Sequence, residues 1–431
     1  MTPARQARRL LRIVRQGARA PFQGRPPIRI SPHGQASLGR WKSANRAITG
    51  VEAEVHEAAV LAAGYHDFGD NGYREGLGRL LEAIDSSEYT PQQRDRIRQT
   101  LVVSVLRSRL YSERGWLENP ESLQNPIPAP LVVCGLPRTG TTALQKLLSM
   151  DGRLQGLNGW LVTNPMPRPP RAKWRSFAEY RAAEAVHKAA MDPSVTVKAA
   201  HLRTADEVDE PLELISQSFV SNFFPAIFRL PAYDEWFRTQ SYRATYGRFA
   251  DNLRLIGATE AHKPWLLQNP SNILALDVLV EEFPDARILW THRHPGAAIA
   301  SLSSLLAMVR TSIAGTDVAT DDIAMREVGL WSEAITTAMA CRERHPENFH
   351  DVDFGELVAD PMAVARAIYE RFQMDIDKPT ETAMLGWIAA NPQGKHGVHS
   401  YSREAFGLSD ALIEKKFGPY METFKLTDNP A

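Results

Sequence analysis

One stretch constrains this chain more than any other. Leu131-Val132-Val133-Cys134 is a short apolar, partly β-branched run, the composition of a strand buried on both faces. Gly135-Leu136-Pro137-Arg138-Thr139-Gly140 then turns the chain, and the residues from Thr141 to Leu148 place Leu144, Leu147 and Leu148 at helical spacing. A strand, a glycine turn and a helix N-terminus make an anion site, because free backbone N–H groups and the positive end of the helix dipole converge there. Gly135 and Gly140 have the spacing of a Walker A loop, but Thr141-Thr142 stand where that loop has Lys-Ser/Thr. The lysine that reaches the terminal phosphates is missing, and Arg138 inside the turn is the replacement cation. The turn reads as a phosphate or sulfate cradle that hydrolyses no triphosphate. The plain alternative is a βα turn with incidental glycines.

Two further units repeat the pattern. Trp265-Leu266-Leu267-Gln268 is a short strand, turned by Asn269-Pro270 and followed by a helix over 273–283. Residues 286–292 form another strand, ended by Arg293-His294-Pro295-Gly296, with a long apolar helix over 297–309. Strands alternating with helices give a mainly parallel sheet, so the expected fold is α/β, a P-loop-like three-layer α/β/α arrangement. Ligands of such sheets sit at the C-terminal ends of the strands. Arg138 and Arg293 both fall there, which calls for a doubly anionic ligand.

Charge adds an asymmetry. Lys plus Arg number 50, as do Asp plus Glu, so no whole-chain field argues for a nucleic acid polymer. Before Glu52, however, there is no acidic residue, against ten arginines and Lys42. Residues 1–47 are expected to be a basic, flexible arm suited to peripheral membrane contact. Residues 48–128 are expected to be a helical extension packed on the core, with helices over 51–63, 73–84 and 90–111. Thr90-Pro91 is a start signal for the third. Residues 129–431 make up the α/β domain. Cys134 and Cys341 offer neither a disulfide framework nor metal-ligand spacing, so a reducing, cytoplasmic setting and no metal are expected. No apolar run approaches the ~18 residues of a membrane span.

Other segments carry weaker signals. Asp206-Glu207-Val208-Asp209-Glu210 is an acidic cluster expected to start a helix over 211–221, where acids suit the dipole. Aromatics crowd the run from Phe219 to Tyr242; most belong to the core, and a subset lining an apolar acceptor pocket is the sharper reading. The proline-rich residues 164–171 must be irregular, as a lid or as a connection. Val352 to Pro361 reads as a strand followed by a turn, and Ser409 caps a last helix ending near Phe424.

These residues together resemble the PAPS-dependent sulfotransferases, in particular the bacterial type with a helical N-terminal extension. Leu136-Pro137-Arg138-Thr139-Gly140-Thr141-Thr142 resembles that family's 5′-phosphosulfate loop. Thr291-His292-Arg293-His294-Pro295 through Ser301 resembles its 3′-phosphate site, with Asp more usual where His294 stands. Val352 to Pro361, Phe406-Gly407-Leu408 and Asp67-Phe68-Gly69-Asp70 are similar to further family segments. The resemblance implies that Pro137, Arg138, Thr139, Gly140, Thr141, Thr142, Arg293 and Ser301 bind PAPS (3′-phosphoadenylyl sulfate). It implies transfer of a sulfuryl group to the hydroxyl of a small or glycan- or lipid-like acceptor, without a metal.

One departure matters. The bacterial families commonly carry Lys-x-Pro-x-His after the second strand, and this chain has Gln268-Asn269-Pro270-Ser271-Asn272. An amide takes no proton from a hydroxyl at neutral pH, so Asn272 is no general base. The remaining candidates are His201, Asp209 and Glu210, with His396 or His399 on the C-terminal loop as others. The alternative is a catalytically impaired protein of the same fold that binds nucleotide or a sulfated ligand. Thr141 at the Walker lysine position argues against a third reading, a kinase.

Overall fold

A computed structural model describes residues 31, 33–190, 205–314, 321–392 and 403–427. Five strands form one sheet: β1 (Leu131–Gly135), β2 (Gln155–Gly156), β3 (Trp265–Gln268), β4 (Arg287–His292) and β5 (Phe349–Asp353). All pair in parallel, in the order β2-β3-β1-β4-β5. Successive strand side chains point to opposite faces, and β1 divides its residues accordingly. Val132 and Cys134 enter a large core with Leu267, Ile288 and Trp290. Leu131 and Val133 enter a smaller one with Leu266, Leu289 and Val352. A sheet that is apolar on both faces must be covered on both. The result is the expected three-layer α/β/α fold.

The helical extension shares the large core. Its helices are Gly34–Ala44, Gly50–Ala63, Arg74–Asp85 and Pro91–Ile97, the last running through a wide turn, Arg98–Val102, into Val103–Glu118. The Thr90 hydroxyl accepts the Gln93 N–H while Gln93 accepts the Thr90 N–H, so the start signal acts as a full capping box. Packing begins earlier than position 48, where the arm was expected to end. Trp41 is 2% exposed and stacks on His56 at 5.5 Å, which anchors Gly34–Ala44 as a helix. Residues 1–30, the rest of the expected arm, lie outside the described residues.

Two other expectations are corrected. The helix over 211–221 is only Leu212–Ile215 with a tight turn, Ser216–Ser218. Phe219, buried at φ 55°, ends it, and the Tyr233 hydroxyl donates to its carbonyl at 2.7 Å. Tertiary burial of the ring overrides helix continuation here. The turn expected after Val352 is instead the helix Phe354–Ala359, capped by Asp353, whose side chain accepts the Glu356 N–H. Among the described residues, no helix is long and apolar enough to cross a membrane.

Two buried histidines are held neutral. Nδ1 of His56 lies 2.7 Å from the Glu52 carbonyl, which can only accept, so Nε2 accepts from the Tyr73 hydroxyl at 2.8 Å. Nε2 of His292 donates to the Asp351 carboxylate at 3.0 Å, and Nδ1 accepts from the Tyr420 hydroxyl at 2.9 Å. Burial lowers both groups below their ordinary value of 6.5. The unfolded chain therefore takes up these protons first, so stability is lost as pH falls below about 6.5. Urea unfolding at pH 7.5 and 5.5 should give a lower midpoint at 5.5, and His292→Asn should reduce the difference; equal midpoints would count against neutral burial.

Candidate functional site

The turn after β1 is shaped by close approach to β4. Gly135 has φ 147°, and a Cβ there would lie 2.5 Å from the Thr291 carbonyl oxygen and 2.6 Å from its hydroxyl. Without a side chain, Gly135 lets the two strand ends close together. The buried Thr139 hydroxyl then sits 2.6 Å from the Leu136 carbonyl and 2.5 Å from the Thr291 hydroxyl. Gly140, at φ 89°, precedes the helix Thr141–Leu148, and a Cβ there would lie 2.9 Å from Leu357. Both motif glycines are thus required sterically, which disposes of the incidental-glycine alternative.

Arg138 adopts φ 71°, a left-handed conformation unusual for a non-glycine residue. Its Nε donates to the Ser301 hydroxyl at 3.1 Å, and its carbonyl accepts from Nη1 of Arg293 at 3.0 Å. The Arg293 guanidinium lies 4.3 Å over the ring of Phe354, a cation–π contact. Arg138, Arg293 and Ser301 therefore form one cluster at the carboxyl ends of β1 and β4, although they are far apart in sequence. Pro137 is part-buried beside it, Thr141 is buried, and Thr142 is exposed in the first turn of the helix.

A second cluster lies at the end of β3. Nε2 of Gln268 donates to the Thr141 hydroxyl at 3.1 Å and to the Glu210 carboxylate at 3.2 Å. Asp209 accepts the Glu210 N–H on its own carboxylate at 2.8 Å. Glu207 pairs with Lys146 at 2.9 Å, and Asp206 accepts from the Tyr180 hydroxyl. Of the acids, Glu210 is the one bonded to the site through Gln268. Asn272 accepts from the buried Tyr246 hydroxyl at 2.9 Å, a structural contact. His201, His396 and His399 lie outside the described residues. Among those described, no group of three His, Cys, Asp or Glu is placed to hold a metal. Cys134 is fully buried, and burial pushes its thiol up.

Thr291 and Phe354 were not among the residues singled out from sequence. Both occupy or follow the carboxyl end of a strand next to the site, and that placement was the available signal. Of the aromatic run, Phe219, Phe224, Phe228, Tyr233 and Phe237 are core. Phe223, Trp236 and Tyr242 are part-buried.

A parallel sheet with this glycine turn, and with paired arginines at adjacent strand ends, defines an α/β protein built to hold a doubly anionic ligand. The sulfotransferase family model matches residues 130–378, more than half of the chain, and the chain belongs to that family. Sulfotransferase STF1 from Mycobacterium tuberculosis superposes with a TM-score of 0.78 at 33% identity, over 86% of this chain and 99% of that one. Sulfotransferase STF9 from Mycobacterium avium gives 0.80 at 26% identity, over 88% and 98%. The omega-hydroxy-beta-dihydromenaquinone-9 sulfotransferase Stf3 of Mycobacterium bovis is 24% identical over 258 residues, 56% of this chain and 62% of its own length.

Gly135→Ala should destabilise the fold by about 2–4 kcal/mol, since the clash is with backbone rather than a flexible side chain. Denaturant unfolding of the variant would measure it, and a wild-type midpoint would contradict the close approach.

Proposed function

We propose that this chain is a PAPS-dependent sulfotransferase acting on a hydroxyl of a lipid-like acceptor. The Arg138–Ser301–Arg293 cluster at the ends of β1 and β4 carries this reading. The residues fit the donor: two guanidiniums, hydroxyls and a helix N-terminus are all hydrogen-bond donors, suited to phosphate and sulfate oxygens. Thr141, Thr142 and the turn N–H groups would hold the phosphosulfate, with Arg138 spanning toward Ser301 and Arg293 at the 3′-phosphate. PAPS supplies a sulfuryl group activated by its anhydride with phosphate.

The chain's part is to align donor and acceptor and to stabilise charge on the leaving oxygens. The acceptor oxygen bonds to sulfur as the bridging S–O bond breaks, and that electron pair leaves on the phosphate. Glu210 is the base that takes the hydroxyl proton. The acceptor class is supported by Stf3, whose name specifies an omega-hydroxy lipid. A cytoplasmic location, with the arginine-rich residues 1–47 touching a membrane surface, fits such an acceptor.

Radiolabelled PAPS incubated with a panel of farnesol in detergent micelles, p-nitrophenol and simple sugars should label the isoprenoid alcohol. Binding of the product nucleotide PAP without transfer to any acceptor, and without slow PAPS hydrolysis, would favour a binding protein instead. Tighter binding of ATP with Mg²⁺ than of PAP would refute the donor assignment. By calorimetry, Arg138→Ala and Arg293→Ala should each weaken PAP binding by about 1.5–3 kcal/mol, roughly ten- to hundredfold; unchanged affinity would refute the site.

A further inference from the structure

The amide of Gln268 has a defined orientation. A carboxylate can only accept, so the atom 3.2 Å from Glu210 must be the amide nitrogen. That nitrogen also donates to the Thr141 hydroxyl, so one side chain from the end of β3 ties the phosphate turn to the acidic segment. Both of its N–H donors are thereby committed. Its Oε1 is buried and has no partner among the described residues, in a side chain that is 1% exposed. A buried acceptor left unmatched is costly, and such groups concentrate where a ligand completes them.

The charges around this point are one-sided. Asp209, Glu207 and Glu213 share the segment of Glu210, while Arg138 and Lys146 belong to the turn and helix that carry Thr141, with Lys146 paired to Glu207. The third element, Trp265 through Asn272, has no charged residue. A cation at position 268 would form an ion pair with Glu210, stabilise its carboxylate and weaken it as a base. An amide holds the carboxylate in place without that effect.

We infer that Gln268 is a positioning residue that aims Glu210 at the acceptor hydroxyl beside Thr141 and keeps it uncharged-partnered, leaving Oε1 to accept a hydrogen bond from the acceptor. The inference rests on the sulfotransferase reading above. It also explains the amide at the position where related bacterial sequences carry a lysine: in this chain the base is a carboxylate, and its neighbour must be neutral.

The test is the pH profile of kcat/KM for transfer from PAPS to farnesol, with PAP affinity by calorimetry as the control for an intact donor site. Q268K should move the acidic limb down by about one pH unit, because the added cation holds Glu210 ionised. Q268E should move it up by a similar amount, because a second carboxylate opposes ionisation. Q268L, which keeps the volume but loses the bonds, should lower kcat about ten- to hundredfold. A purely structural role for Gln268 predicts lower rates with an unmoved limb in all three. Transfer by the wild-type enzyme with the same limb in Q268K and Q268E would overturn this inference alone. Absence of transfer by the wild-type enzyme would overturn the sulfotransferase reading and this inference with it.

Discussion

The structure depends on how closely the ends of β1 and β4 approach. Neighbouring parallel strands carry side chains that keep their ends apart, and Gly135 removes the one that would block Thr291. Once closed, the gap is spanned by the Thr139 and Thr291 hydroxyls and by the Thr291 hydroxyl donating to the Cys134 carbonyl at 3.2 Å. The strained backbone at Arg138 follows from the same closure. A left-handed non-glycine residue costs about 1–3 kcal/mol and persists only where its surroundings over-determine it. Here the residue is fixed from both ends, by Arg293 at its carbonyl and by Ser301 at its guanidinium. The strain aims a cation inward from a turn whose own N–H groups already favour anions.

Electrostatics then explains the division of labour around the sheet. The β1–β4 side gathers arginines and an aromatic ring, Phe354, whose face suits a cation without neutralising it. The β3 side presents an amide, a hydroxyl and a carboxylate. Arginine is suited to the first role because its planar fork matches phosphate oxygens and stays charged when part-buried. An amide is suited to the second because it donates without adding charge. Positive charge is thus held where leaving charge would develop and kept from the carboxylate that must accept a proton.

Legibility in sequence follows the range of the interactions. The β1 strand, its turn and the helix Thr141–Leu148 form one short-range unit, and each residue type there reports its own constraint. Arg293 was legible because it ends a strand, and strand ends share one edge of a parallel sheet. Phe219 was not, since a left-handed aromatic is imposed by the ring's burial against Phe224 and Tyr233 rather than by neighbours in sequence. The Gln268–Glu210 bond joins positions 58 residues apart on elements of different kinds. Sequence showed two amides as losses; the geometry shows that one of them gained a partner.

The helical extension has a part in this that its position in the chain conceals. Gln217 lies seven residues after Glu210 and is completely buried. Its amide nitrogen donates to the Ser108 and Ser112 hydroxyls, both at 2.9 Å, on the helix Val103–Glu118. Its carbonyl oxygen accepts from Arg248 at 2.7 Å, and Arg248 in turn bonds Glu113 at 2.7 Å. Burial pushes the Arg248 guanidinium down to about 10, still protonated at neutral pH, so it needs the Glu113 carboxylate close by. Arg109, also buried, donates to the backbone of Phe68, Asp70 and Gln217 at 2.6, 3.0 and 3.3 Å. A buried polar network of this kind specifies one arrangement, because any shift leaves groups unpaired. The acidic segment has no strand or long helix to fix it, so its placement comes from the extension. The helices before β1 are therefore what holds Glu210 at the mouth of the sheet.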